Sequence, residues 1–305
     1  MKKEKVIFLL GPTASGKTSL SVELAKTFNG EIISADSVQV YKEFNIGSAK
    51  VTKEEMQGVK HYGIDIKEPN ESFSASEYVE YTKKCIEEIL AKGKLPIIVG
   101  GTGLYVKALT QGYNFGGTAA NEDFRREIEE IIAEKGLEYA VLMLKNINPK
   151  LAEGIDTKNK VRVVRALEIA KFGNEKLMTN SCEYDFKIIA TSMPREVLYQ
   201  RINKRVKIMA ENGLVEEVRE IYQKYGNCQA MSAIGYKEVV PFLNGEISKE
   251  QMIEKIAQNT RHYAKRQMTF LRGMDEVRYI DISQQGAVET VKEEIEKWLK
   301  KWILQ

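Results

Sequence analysis

The chain has 305 residues, which is enough for one large domain or two modest ones. Hydrophobic residues make up 43% of it and charged residues 29%, proportions typical of a soluble globular protein. The net charge of +3 excludes a broadly basic protein, and the longest apolar runs are far too short to cross a membrane. The three cysteines, Cys85, Cys182 and Cys228, stand apart and form no zinc-binding spacing with His61 and His262. We therefore expect reduced thiols in a cytoplasmic protein.

The first predicted element is a strand at 6–10, and a glycine-rich loop follows it at once. The loop reads Gly11-Pro12-Thr13-Ala14-Ser15-Gly16-Lys17-Thr18. Apolar residues at four-residue spacing from Leu20 to Phe28 predict a helix after it. A strand, a glycine-rich loop and a helix in this order are the context of a phosphate-binding P-loop. Backbone N–H groups and Lys17 would hold phosphate oxygens and the Thr18 hydroxyl would ligate Mg²⁺, so we expect a bound di- or triphosphate.

Two later predicted strands end in residues that bear on the chemistry. The strand at 31–35 ends at Asp36, and the strand at 95–99 ends in a glycine-rich turn that contains Thr102. Ligands of open α/β sheets bind beyond the carboxyl ends of the strands, which places both residues next to the P-loop. From the residues alone Asp36 is a metal ligand, a general base or the N-cap of a following helix, and Thr102 is a site residue or an ordinary turn residue.

Further strands are predicted at 63–66, 186–191 and 277–282. Helical patterns lie between most of the strands, which predicts a doubly wound parallel α/β sheet of the P-loop NTPase-like kind. A later apolar stripe is predicted to lie in the core, and it consists of Leu198, Ile202, Val206 and Met209.

Strand signals are weak from about 115 to 182. Helical patterns occur there instead, for example at 122–135 and 158–172. We therefore expect a helical insertion domain at 115–182. The core domain would consist of 1–114 and 183–305, with helices toward its end.

Several short blocks of the sequence carry a resemblance to a known family. In chain order they are Gly11 to Thr18, Ile33-Ser34-Ala35-Asp36-Ser37, Gln39-Val40-Tyr41-Lys42, Ile46-Gly47-Ser48-Ala49-Lys50, Ile64-Asp65-Ile66, Pro96 to Tyr105, Arg165-Ala166-Leu167-Glu168, Gly213 to Val218, Ala233-Ile234-Gly235-Tyr236-Lys237-Glu238 and Thr260 to Gln267. In this order the blocks resemble the tRNA dimethylallyltransferases, the bacterial tRNA isopentenyltransferase family, nearly from end to end.

The resemblance implies transfer of a dimethylallyl group from dimethylallyl diphosphate to tRNA, with release of diphosphate. The acceptor would be the exocyclic N6 amine of the adenosine on the 3′ side of the anticodon. The P-loop would then hold an isoprenoid diphosphate with Mg²⁺ rather than a nucleotide. The resemblance makes Asp36 the general base, assigns Thr102 to the catalytic site and assigns Arg219 to the diphosphate.

The expected partner is the tRNA anticodon stem-loop, bound by a monomer. Three clusters of basic residues, at 158–171, 195–207 and 261–272, suit phosphate contacts. The resemblance implies tRNA contacts at Asp36, Ser37, Val38, Gln39, Thr102, Arg125, Val161, Arg162, Val163, Val164 and Arg165. The sequence departs from the family pattern at Thr269-Phe270-Leu271-Arg272, His61-Tyr62-Gly63 and Gly154-Ile155-Asp156.

Three other functions are consistent with a P-loop. A small-molecule kinase would need an acid at the end of a later strand to hold Mg²⁺, and 95–99 has none. A prenyltransferase acting on free AMP would share the P-loop and Asp36, but it would not need the basic clusters or an insertion of this size. A GTPase-like RNA-binding switch would need a guanine-specificity motif, which we do not find.

Overall fold

The computed structural model describes residues 3–110, 121–173 and 184–300. Its strands are Glu4–Leu10 (β1), Gly30–Ala35 (β2), His61–Tyr62 (β3), Leu95–Gly100 (β4), Tyr184–Ser192 (β5) and Val277–Asp281 (β6). Its helices are Lys17–Thr27 (α1), Lys53–Met56 (α2), Ala75–Ala91 (α3), Gly103–Thr110 (α4), Glu122–Lys135 (α5), Leu137–Ile147 (α6), Pro149–Glu153 (α7), Lys160–Phe172 (α8), Arg195–Glu211 (α9), Leu214–Tyr225 (α10), Val239–Leu243 (α11), Lys249–Arg272 (α12) and Ala287–Lys300 (α13).

The six strands form one parallel sheet in the order β3-β2-β4-β1-β5-β6. Both faces are covered, which explains why β1 is continuously apolar from Val6 to Leu10 rather than alternating. Ile7 and Leu9 pack with α1 and α13 on one face. Phe8 and Leu10 pack with α3, α10 and α12 on the other. The predicted doubly wound parallel sheet is confirmed, and the loops at the carboxyl ends of β1, β2 and β4 meet at one edge.

The predicted strand at 63–66 is wrong. The strand that pairs with β2 is His61–Tyr62, which begins two residues earlier and ends before the predicted strand starts. Gly63 and Asp65 adopt positive φ angles of 76° and 55°, which turn the backbone away from the sheet. The Asp65 carboxylate accepts a hydrogen bond from Lys50 Nζ at 2.5 Å, which holds this turn in place. The apolar run therefore forms a turn and not a strand.

The predicted apolar stripe on α9 is confirmed. Leu198, Ile202 and Val206 are buried, and Met209 packs against the core. The helical predictions at 122–135 and 158–172 correspond to α5 and α8. Cys85 and Cys228 are free thiols, and Cys182 lies outside the described residues.

The chain divides into two compact units. Unit 1 is Met1–Leu109 with Glu183–Gln305, and it contains the sheet. Unit 2 is Thr110–Cys182, and its helices α5, α6 and α8 pack around an apolar core of their own. No helix of the described residues is long and apolar enough to span a membrane.

Hydrogen bonds to one buried carboxylate, that of Glu168, connect α8 to the start of α5 in unit 2. Glu168 on α8 has no exposed surface, and its Oε1 accepts hydrogen bonds from Asn121 N at 2.7 Å and from Arg125 Nε at 3.1 Å. Its Oε2 accepts from Arg125 Nη2 at 3.0 Å and from Arg165. Burial would raise the pKa of Glu168, but the bonds from Arg125, Asn121 and Arg165 outweigh it and lower that pKa overall. The charge is therefore buried with its partners, the arrangement that makes a buried ion tolerable.

We expect Glu168→Gln to lower the free energy of unfolding of unit 2 by about 2 kcal/mol. It leaves two guanidinium groups without their carboxylate, and their partial exposure keeps the loss below the full cost of breaking a buried pair. Hydrogen exchange at the amides of α5 and α8 measures this. The matched control is Glu130→Gln on the exposed face of α5, which should leave exchange unchanged.

The same carboxylate predicts a pH dependence. Because its pKa is lowered on folding, its stabilisation is fully present above the ordinary value of 4.5 and is lost as pH falls through the folded value. Protection factors in the wild type, which divide out the intrinsic slowing of exchange in acid, should fall below about pH 4.5, and Glu168→Gln should lack that part of the change. Equal acid sensitivity in the two proteins would contradict this role.

Candidate active site

The P-loop connects β1 to α1 and leaves the start of the helix open. Gly16 takes a left-handed conformation with φ of 89° at the N-cap of α1, and no side chain caps the helix. Lys17 Nζ and Ser15 Oγ each donate to Pro12 O at 2.7 Å, which closes the loop on itself. The unpaired amides of a first helical turn attract anions. The sequence prediction of a phosphate cradle thus has the local geometry it requires.

Two of the loop glycines are required by close neighbours. A Cβ on Gly11 would lie 2.1 Å from Thr191 Oγ1, and a Cβ on Gly16 would lie 2.4 Å from Ile282 Cδ1. Ser15 Oγ is 2.5 Å from Thr191 Oγ1, so the end of β5 supports the loop from behind. A larger residue at Gly11 would have to displace this support, and one at Gly16 would have to displace the end of the Ile282 side chain and adopt a φ of 89°.

Helix α9 brings cations to the loop. Burial and the nearby Arg205 lower the pKa of Lys17 to about 7, although Asp36 acts in the opposite direction. The pKa of Arg205 is lowered by burial and by Arg201. An Arg201 Nη2 atom lies 3.9 Å from where a Cβ on Gly16 would be. Two partly desolvated cations, Lys17 and Arg205, and the exposed Arg201 lie around an open helix N-terminus, an arrangement that suits a multiply charged anion.

The sequence analysis placed Arg201 and Arg205 in a cluster suited to RNA and gave them no role at the P-loop. Their spacing of four residues on a helix puts them on one face, which is the signal that could have paired them. Arg219, which was assigned to the diphosphate, is exposed on α10 and forms an ion pair with Glu216 at 3.8 Å. Among the described contacts, none brings Arg219 to the P-loop.

Asp36 follows β2 and lies at the same edge of the sheet. Its Oδ1 accepts hydrogen bonds from Val38 N at 2.8 Å and from Gln39 N at 3.2 Å. It therefore caps a turn, and no helix follows. Its charge raises the pKa of Lys17 and of Tyr263, which places the carboxylate near both. Within the described part of the chain its Oδ2 has no hydrogen-bond partner, so this oxygen is available to a substrate.

Thr102 lies in the turn after β4, and its amide donates to Ala35 O at 3.3 Å. Its Oγ1 is buried and lacks a well-formed hydrogen bond to any described residue. Tyr263 on α12 lies beside it, and burial and the Asp36 charge raise the pKa of the Tyr263 phenol to about 12. The Thr102 hydroxyl acts on that phenol in the opposite direction, as a hydrogen-bond partner that lowers its pKa, so the two hydroxyls lie together at this edge of the site.

Gln267 on α12 joins the P-loop to the turn that carries Thr102. Thr13 N donates to Gln267 Oε1 at 2.9 Å, and Gln267 Nε2 donates to Gly101 O at 3.1 Å. Gln267 is only 7% exposed. It was quoted in a motif but given no role, because a sequence does not show which main-chain groups an amide side chain reaches.

Glu217 holds the loop after Asp36. Its carboxylate accepts hydrogen bonds from the backbone N–H groups of 45–47, with the shortest at 2.7 Å, and from Tyr236 Oη at 2.8 Å. Tyr236 Oη in turn accepts from Ser48 N at 3.1 Å. Gln39 Nε2 donates to Ser48 O and Ala49 O at 3.3 Å. Four of the motif blocks, at 39–42, 46–50, 213–218 and 233–238, thus build one support for the segment that begins at Asp36.

The residues predicted to contact tRNA lie in both units. In unit 1, Ser37 is exposed and Val38 and Gln39 are partly buried next to Asp36. In unit 2, Val161 is 75% exposed and Arg162 is exposed, whereas Arg125 and Arg165 bind Glu168. The side chains of Val163 and Val164 belong to the apolar core of unit 2.

The protein ligands for a metal ion are few. No group of three or more His, Cys, Asp or Glu side chains suited to a metal occurs in 3–110, 121–173 or 184–300. Thr18 is exposed at the mouth of the P-loop. Mg²⁺ keeps several waters and commonly binds phosphate oxygens with few protein ligands, so the Thr18 hydroxyl beside a bound diphosphate fits it.

Lys17 makes anion binding depend on pH. A bound diphosphate favours the charged amine, so the affinity for inorganic diphosphate should be full below about pH 7 and should weaken as pH rises through that value. Calorimetric titration without tRNA measures this. Arg205→Gln should bind more weakly at every pH, and its inflection should move to higher pH because Arg205 lowers the pKa of Lys17. Diphosphate itself takes up a proton near neutral pH, so the profile of Lys17→Met serves as the reference. The wild type should show an additional inflection relative to it, and identical profiles would assign the titration to another group.

The chain is similar to known proteins over nearly its whole length. The family model described as IPP transferase matches residues 39–274. A tRNA dimethylallyltransferase of Bacillus anthracis is 46% identical over 290 residues, which is 93% of this chain and 92% of the relative. The full-length tRNA isopentenylpyrophosphate transferase of Bacillus halodurans is 42% identical, with a TM-score of 0.76 and 98% of both chains covered. A eukaryotic dimethylallyltransferase acting on tRNA is 27% identical, with a TM-score of 0.78 over 95% of this chain and 77% of the other. On this similarity the chain belongs to the IPP transferase family, as the resemblance in its motifs led us to expect.

Proposed function

We propose that the protein transfers a dimethylallyl group from dimethylallyl diphosphate to the N6 amine of the adenosine 3′-adjacent to the anticodon in tRNA, releasing diphosphate. The observation that carries this proposal is the position of a single carboxylate, Asp36, beside a P-loop lined by cations. A base and an anion cradle side by side are what this reaction needs. The relatives named tRNA dimethylallyltransferase and the neighbour that acts on tRNA support it.

On the donor side, the residues bind the leaving group. The loop from Gly11 to Thr18 supplies amides, and Lys17, Arg201 and Arg205 supply positive charge where negative charge develops on the diphosphate. Mg²⁺, when bound at Thr18, would neutralise further charge on the same oxygens. The geometry favours Arg205 over Arg219 for this role.

On the acceptor side, Asp36 takes a proton. The adenine N6 amine is a poor nucleophile because its lone pair is delocalised into the ring. As the lone pair forms the bond to C1 of the dimethylallyl group, the C1–O bond breaks and its electrons leave with the diphosphate. The N6 proton passes to Asp36 Oδ2, while Oδ1 keeps its bonds to the turn. The buried Thr102 Oγ1 is available to hydrogen-bond the substrate.

The anticodon stem-loop would bind through the basic surfaces. On unit 1, a recess of about 540 Å³ along α12 is lined by His262, Lys265, Arg266, Thr269 and Phe270. This mixture of cations and aromatic rings suits phosphates and unstacked bases. On unit 2, we propose contacts at Arg125 and at 161–165, with Val163 and Val164 acting through their backbone because their side chains are buried. The target adenine must leave the anticodon stack to reach Asp36. All of these residues belong to one chain, so we expect a monomer to be active.

The test is transfer of radiolabelled dimethylallyl from its diphosphate, with Mg²⁺, to unmodified tRNA or to AMP. We expect label in tRNA, and we expect Asp36→Asn to lower kcat by about 10²- to 10⁴-fold because it removes the base. Asparagine keeps an Oδ1 that accepts the N–H groups of Val38 and Gln39, so the turn should remain and diphosphate binding should change little. The control is Asp275→Asn at an exposed position, which should match the wild type.

The other outcomes identify other functions. Label in AMP alone would assign the protein to prenyltransferases of free nucleotides. Consumption of ATP with no label in either acceptor would replace the proposal with phosphoryl transfer. Full activity of Asp36→Asn would exclude Asp36 as the base and leave it the role of capping the turn.

A further inference from the structure

Three side chains on one face of α12 touch the two loops of the candidate active site. Gln267 accepts a hydrogen bond from Thr13 N at 2.9 Å and donates one to Gly101 O at 3.1 Å. One turn earlier, Tyr263 lies beside Thr102. One turn later, the Phe270 ring lies 2.8 Å from where a Cβ on Gly103 would be. Positions separated by three or four residues share a helix face, so α12 forms a straight support behind both loops.

Of these contacts, the Gln267 bridge is the one that spans both loops. The P-loop would hold the diphosphate, and the turn at Gly101 carries Thr102. The amide group is planar, so its donor and acceptor fix the separation of Thr13 N and Gly101 O through one rigid unit. The fit is tight: a Cβ on Gly101 would lie 2.0 Å from Gln267 Nε2 and 3.1 Å from Gly11 O. Because Gln267 is 7% exposed, water cannot easily replace either bond.

We propose that Gln267 is a positioning residue that sets the distance between the diphosphate cradle and the Thr102 turn, and so aligns the donor carbon with the acceptor amine. This inference rests on the proposed function. The two reacting atoms must be held close and in line, and a misplacement of about 1 Å costs on the order of 10²-fold in rate. Gln267 acts on that alignment through main-chain groups and does not touch the substrate.

Two substitutions separate the two bonds. Gln267→Met has a similar volume but can form neither, and we expect it to lower kcat by about 10²-fold. Gln267→Glu, when ionised, can still accept from Thr13 N but cannot donate to Gly101 O, and we expect a loss of about tenfold for one bond. For both variants we expect the KM for dimethylallyl diphosphate and the Kd for inorganic diphosphate to stay within about threefold of the wild type, because the amides and cations of the cradle remain. Gln223→Glu on the exposed side of α10 is the matched control.

The pH profile of Gln267→Glu gives the readout that a purely structural role would not move. A protonated glutamic acid has one acceptor and one donor, as glutamine has, so it can restore the bond to Gly101 O. The ratio of the kcat of Gln267→Glu to that of the wild type should therefore rise as pH falls from about 8 to about 5.5, since a carboxylate facing a carbonyl oxygen has a raised pKa. Taking the ratio removes the titration of Lys17, which both proteins share. The Gln267→Met ratio should stay flat.

Gly101→Ala is a second, independent test of the two hydrogen bonds that Gln267 forms. Its Cβ should push the Gln267 amide away and lower kcat, and in the Gln267→Ala background, which makes room for that Cβ, the same substitution should cost much less. Equal costs in the two backgrounds would overturn the proposal. Wild-type kcat in Gln267→Met, a flat ratio for Gln267→Glu, or a loss confined to diphosphate affinity would also overturn it. If the wild type transfers no label to tRNA, the proposed function is wrong and the positioning role is wrong with it. If the wild type and Gln267→Met label tRNA equally well, only the positioning role is wrong.

Discussion

The excess of positive charge at the start of α1 is the constraint on which the rest of the site depends. Burial and the Arg205 charge lower the pKa of Lys17 more than the Asp36 charge raises it. The Asp36 carboxylate therefore does not fully offset the cations that the fold places around Lys17. The open N-terminus of α1 adds partial positive charge in the same place. Such an arrangement costs stability in the free protein, and a multiply charged anion removes that cost on binding. The sheet and α9 hold Lys17 and Arg205 close together despite the repulsion between their charges.

Asp36 shows how one carboxylate can serve both structure and chemistry. The residues alone left Asp36 as a metal ligand, a general base or a helix cap. In the structure Oδ1 alone accepts the bonds that cap the turn, which leaves Oδ2 for the proposed role as a base. Oδ1 fixes the turn, which also fixes the direction in which Oδ2 points. The Glu217 network behind the turn limits its movement further. A base that is held by its own backbone loses little entropy when it meets the substrate, which is one source of catalytic advantage.

The parallel sheet and two helices of the insertion, α5 and α8, could be predicted because each depends on neighbours in sequence, as does the P-loop motif. Glycines at fixed offsets, continuous apolar runs and helical periodicity act over a few residues. The prediction of a strand at 63–66 was wrong because it rested on local apolar content alone. Gly63 and Asp65 take positive φ angles, which the apolar pattern does not indicate. Arg205 and Gln267 were not assigned because their partners lie far away along the chain, and only the packing of α9 and α12 against the sheet brings them to the loops.

The two kinds of residue that sequence reasoning missed have a common physical origin. Arg205 lies near Lys17 and lowers its pKa, and Gln267 bridges two backbone groups, so the partners of both residues are set by tertiary packing and not by neighbours in sequence. Both lie on long helices, whose rigidity transmits packing at the sheet to the loops at its edge. Loops that must admit and release a substrate cannot hold their own geometry to a fraction of an ångström. The helices behind the loops therefore fix the positions of the loop atoms. In the sequence, the residues responsible look like any other residues within a helix.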